Sequence, residues 1–79
     1  MNNYRPCLDD YPALTQRLSQ THYEVALHYL EAGASRPVIT AKHKVSGENK
    51  LYYGQSFMVG APILFVQWLE GITYELAAG

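Results

Sequence analysis

The chain has 79 residues, 48% of them hydrophobic, and a formal net charge of −1. That is one domain near the lower limit of what folds without disulfide or metal staples, with enough apolar material to argue against wholesale disorder. The charge balance gives no footprint for strong phosphate binding and no whole-surface acidity of the kind a DNA mimic needs, and a single cysteine, Cys7, excludes an internal disulfide and a four-cysteine zinc site.

Residues 1–8 read as a loose lead-in. Met1-Asn2-Asn3-Tyr4-Arg5-Pro6 lacks the basic-then-apolar order of a secretory signal, and no stretch reaches the roughly 18 apolar residues of a membrane span. The expectation is a soluble cytoplasmic protein. Asp9 or Asp10 then offers an N-cap, and Pro12 suits a first helical turn. Tyr11, Leu14 and Leu18 follow at i, i+3 and i+7, which predicts a short amphipathic helix to about Gln20.

Thr21–Leu30 reads as the first strand, with Tyr23, Val25, Leu27 and Tyr29 on one face and His22, Glu24, Ala26, His28 and Leu30 on the other. A helix over the same residues, closed by Gly33, competes. The clean alternation favours the strand, as does the weakness of a sheet of only two strands. Gly33-Ala34-Ser35-Arg36-Pro37 is a turn. A hairpin follows, Val38–Val45 and Lys50–Met58 around Ser46-Gly47-Glu48-Asn49. Ile39, Ala41, His43 and Val45 share the face expected to meet the core.

Gly60-Ala61-Pro62 breaks the strand, and a helix is predicted from about Ala61. Its stripe is Leu64, Phe65, Trp68, Leu69, Ile72 and Leu76, an ordinary cover for a sheet. Gly71 marks either close contact with the sheet or an early helix end. The fold class is therefore α+β: one domain over residues 1–79, with a three-stranded antiparallel sheet, the order α-β-β-β-α, and the second helix packed on one sheet face.

No constellation carries recognisable chemistry. His22 and His28 sit about 20 Å apart at strand rise, too far for one ion whose nitrogen ligands lie at about 2.1 Å. His43 falls on the other parity of its strand. Cys7 lies where catalytic geometry is hard to hold. Gly47, Gly54 and Gly60 lack the spacing of a phosphate loop. The reading is of a non-enzyme with no cofactor and no metal. What remains is surface: the sheet face away from the helices is expected to carry Glu24, His28, Thr40, Lys42, Lys44, Tyr52 and Met58. The candidate partner contacts are Glu24, Lys42, Lys44, Tyr52 and the pair Asp9-Asp10.

Two resemblances bear on use. The order α-β-β-β-α, with the hairpin at Val45-Ser46-Gly47-Glu48-Asn49, resembles double-stranded-RNA-binding domains. Those open their second helix with phosphate-gripping lysines, and Gly60-Ala61-Pro62-Ile63-Leu64 has none. That resemblance implies shared topology and leaves a nucleic-acid-binding module as the alternative function. Separately, the size, the sheet of Val25–Tyr29, Val38–Val45 and Lys50–Phe57, and the tail Phe65-Val66-Gln67-Trp68-Leu69-Glu70-Gly71 resemble small phage anti-CRISPR proteins directed at type I systems. This implies an inhibitor that docks on a CRISPR surveillance complex, or on its Cas nuclease, and obstructs target-DNA binding or cleavage in the host cytoplasm. A monomer or a homodimer is expected, since the edge strand Tyr23–Leu30 or Lys50–Met58 can pair across a two-fold axis.

Overall fold

A computed structural model of the chain describes residues 5–31 and 35–79. A 3₁₀ turn (Leu8–Asp10) leads into helix α1 (Pro12–Ser19). Strands β1 (Tyr23–Leu30), β2 (Arg36–His43) and β3 (Asn49–Tyr53) follow, then a second 3₁₀ turn (Ser56–Gly60) and helix α2 (Pro62–Ala78). The expected α+β order is present, and the three strands form one antiparallel sheet in the order β1-β2-β3.

Helix α1 starts at Pro12, as its spacing predicts, but neither aspartate caps it. Asp10 Oδ2 instead accepts the Cys7 N–H at 3.0 Å and closes the preceding 3₁₀ turn. Thr21 ends the helix, donating its hydroxyl to Leu18 O at 2.7 Å while its oxygen receives the Tyr23 N–H at 3.3 Å. One side chain thus joins the last helical turn to the first strand. The lead-in is docked where described. Arg5 forms a two-pronged ion pair with Glu31, and Tyr29 donates its hydroxyl to Pro6 O at 2.5 Å. The turn expected over residues 33–37 is corrected at its end, because Arg36 and Pro37 belong to β2. Gly33 and Ala34 lie outside the described residues, as do Met1–Tyr4.

The hairpin closes two residues earlier than expected. Val45 lies in the turn and is 87% exposed, and Gly47 takes the positive φ of 80° that the reversal needs. β3 ends at Tyr53 rather than Met58, which sits in the second 3₁₀ turn. The stop has a cause at Gly54, where a Cβ would come within 2.7 Å of Pro37 Cγ and 3.2 Å of the Trp68 ring. Pro37 has no N–H to offer the opposing strand. Gly54 N–H reaches Pro37 O at 2.8 Å, and the neighbouring Arg36 Nε supplies the missing donor to Gly54 O at 2.6 Å.

Both helices lie on one side of the sheet. Their core is a single cluster: Leu14 and Leu18 from α1, Tyr23, Ile39 and Ala41 from the sheet, and Phe65, Leu69, Ile72 and Leu76 from α2. Burying each of the larger apolar side chains contributes about 1.5–3 kcal/mol before conformational entropy is subtracted. Leu64 is largely exposed, contrary to its place in the expected stripe. Thr73 is buried instead, its hydroxyl returned to Leu69 O at 2.8 Å. Gly71 neither ends α2 nor touches the sheet, since a Cβ there would meet open space.

Candidate functional site

The register decides which side chains the uncovered sheet face carries. Glu24 pairs with Lys42, which pairs with Asn49; Ala26 pairs with Thr40, then Leu51; His28 pairs with Val38, then Tyr53; and Leu30 pairs with Arg36. All of these share the parity opposite to the core residues Ile39 and Ala41. Polar residues gather at the Glu24 end and apolar ones toward the Leu30 end.

Leu51, Tyr53 and Leu30 are about half exposed, whereas Val38 among them is only 6% exposed although it lies outside the core cluster under the helices. The Arg36 guanidinium carbon stands 5.7 Å from the centre of the Tyr53 ring. At that range cation and ring attract each other. His28 Nε2 and Thr40 Oγ1 approach to 3.3 Å. The result is an apolar patch whose rim carries hydrogen-bonding groups.

The expected contact residues divide. Glu24 and Lys42 do face each other on this surface. Lys44 lies just past β2 and turns its Nζ to Ser19 O at 3.3 Å, at the end of α1. Asp9 and Asp10 are exposed on the 3₁₀ turn, on the helix side of the molecule. Tyr52 is a correction: it lies on the covered face and donates its hydroxyl to Glu75 of α2 at 2.6 Å. Burial first, and that bond second, raise its pKa well above the usual phenol value. Met58 is likewise part-buried against the core. The residues that sequence reasoning passed over are Leu51, Tyr53, Leu30 and Val38. The Tyr52-Tyr53 doublet reads equally well in either parity, and only the cross-strand register resolves it.

The histidines are also rearranged. His22 and His43, kept apart by the sequence reading, stack with ring centres 6.0 Å apart. His43 Nδ1 accepts the N–H groups of Val45 and Ser46, both at 3.2 Å, so that nitrogen serves the turn. Among the described residues no three His, Cys, Asp or Glu side chains converge as metal ligands, and no helix is long and apolar enough to cross a membrane. Where the double-stranded-RNA-binding pattern calls for lysines, α2 presents Ile63, 73% exposed.

The fold and site together define a two-layer α+β domain with helices on one side and an uncovered, partly apolar sheet face on the other. No protein family matches the chain, and neither the curated proteins nor the solved structures yield a match.

Proposed function

We propose that the chain is a non-enzymatic protein-binding domain that inhibits by covering part of its partner with the open face of its sheet. The observation that carries this reading is the exposure of Leu51, Tyr53 and Leu30 around Val38 on a face no helix covers. An apolar, aromatic centre with a polar rim is the anatomy of a protein–protein contact, and Tyr and Arg are residue types that dominate binding energy there. The face is small. Three strands about 4.8 Å apart and about 25 Å long give a plane of roughly 350 Å², against about 800 Å² per partner in a standard interface. The contact therefore extends past the sheet, and at the Glu24 end the face itself carries Lys42, with Lys44 just beyond the end of β2.

The anti-CRISPR resemblance gives the partner an identity to test: a type I surveillance complex or its Cas nuclease in the host cytoplasm, blocked in target-DNA binding or cleavage. Purified chain is titrated into such a complex with labelled target DNA. The expected result is loss of DNA binding or cleavage, relieved by Leu51→Asp and weakened by charge reversal at Lys42 and Lys44. DNA binding and cleavage unchanged by saturating chain would remove this partner. Equal inhibition by Leu51→Asp would move the contact to another face. Retention of the chain by RNA or DNA, weakening as salt rises, would replace the protein partner with a nucleic acid.

A further inference from the structure

Strand β1 is an edge strand of eight residues, longer than the five-residue β3 at the other edge. The Lys44 N–H bonds His22 O at 2.8 Å, and this sets the phase of the β1–β2 ladder. Glu24, Ala26 and His28 turn their backbone groups toward β2, so Val25 and Leu27 turn theirs outward. The outward N–H of Tyr23 is already met by Thr21 Oγ1. Among the described residues nothing meets the N–H and C=O groups of Val25 and Leu27.

Two open hollows lie along this edge on either side of Leu8. One, of about 320 Å³, reaches Val25; the other, of about 210 Å³, reaches Leu27. Val25 and Leu27 are alternate residues of β1, so the two hollows reach positions two residues apart on one face of the strand.

We propose that a second copy of the chain adds its β1 here, antiparallel across a two-fold axis at Ala26, so that the two three-stranded sheets become continuous. Only even registers keep both covered faces on the same side. Two of these overlap nearly the whole strand, centred on Ala26 or on Leu27. The Ala26 register sets Glu24 opposite the copy's His28 on the open face, twice over by symmetry, with the smallest side chain at the axis. The Leu27 register sets Glu24 against Leu30 and His28 against Ala26. A carboxylate facing an imidazole selects the first.

In that register Val25 faces the copy's Leu27, and the two such pairs exchange about four backbone hydrogen bonds. The copy's Leu27 comes over the hollow beside Val25, and its Val25 over the hollow beside Leu27. The two open sheet faces then join into one of roughly twice the area. This assembly stands whatever partner that face takes.

Crosslinking tests the register. In non-hydrogen-bonded antiparallel pairs the Cα atoms lie about 4.5 Å apart, within disulfide reach. The double variant Cys7→Ser, Ala26→Cys is expected to oxidise largely to a covalent dimer, whereas Cys7→Ser, Leu51→Cys, with its cysteine two strands away from the seam, forms no covalent dimer. A second variant needs no cysteine. Ala26→Lys puts two like charges at the axis and is expected to weaken the dimer at least about tenfold in sedimentation equilibrium, with an unchanged circular dichroism spectrum. A chain that sediments as a monomer at sub-millimolar concentration and does not crosslink at position 26 overturns the proposal. So does a dimer that crosslinks at position 51 and not at 26, which would place the contact on β3.

Discussion

The Tyr52 hydroxyl on β3 and the Glu75 carboxylate on α2 share a hydrogen bond of 2.6 Å that fastens the last strand to the last helix. Burial and this bond raise the phenol's pKa in the folded chain above its ordinary value of 10. A raised acid contributes stability that is complete below the unfolded value and is lost as pH climbs from there toward the folded one. Stability is thus expected to fall above about pH 10. Tyr52→Phe keeps the ring, costs about 1 kcal/mol at neutral pH, and makes the alkaline fall shallower. Urea midpoints of both proteins at neutral and alkaline pH measure this, and parallel pH profiles would refute it.

Gly54 is tightly confined. An added methyl would press on Pro37 and Trp68, and neither ring yields easily. Gly54→Ala is expected to destabilise by about 1–3 kcal/mol through overpacking. Gly60→Ala, with nothing near its Cβ position, serves as the control. Thermal melts of the two variants should separate clearly.

Gly71 is the opposite case. It is exposed within α2, and a Cβ there meets open space. Gly71→Ala is expected to stabilise the chain by about 1 kcal/mol, raising the melting temperature by about 4–8 °C for a domain of this size. A lower melting temperature would mean that α2 needs the glycine for some other reason.

Leu51 contributes to a surface rather than to the core cluster. Leu51→Ser is therefore expected to leave the urea midpoint nearly unchanged, within about 0.5 kcal/mol. Ile39→Ala, at the fully buried centre of the sheet, is expected to cost about 2–5 kcal/mol. Comparable losses in the two variants would show that the open face supports the fold.

Alternation and helical spacing carried most of the architecture. The period of two in Tyr23–Tyr29 outweighs the helix formers of the same stretch, and Phe65, Leu69, Ile72 and Leu76 mark the buried stripe of α2 directly. Element ends were harder because they depend on distant partners. β3 stops where Gly54 passes beneath Trp68, and Asp10 spends its carboxylate on Cys7 rather than on α1. The candidate face was only half legible. Glu24 and Lys42 are polar residues in a clearly alternating strand, so their side of the sheet was readable. Tyr52 and Tyr53 are chemically alike, and their sides are fixed by pairing with Ile39 and Val38.

Pro37 sits in the central strand, a place that ordinarily demands a full set of ladder donors. Its neighbour Arg36 makes good the deficit at Gly54. This gives the hairpin a sliding stop. Moving β3 two residues along β2 would keep every side chain on its proper face, so burial alone distinguishes the two alignments only weakly. The shift would nevertheless set a different carbonyl against the proline ring and carry Gly54 away from the guanidinium. Ring and side chain are satisfied together in a single alignment, and the strands are indexed by a non-covalent latch.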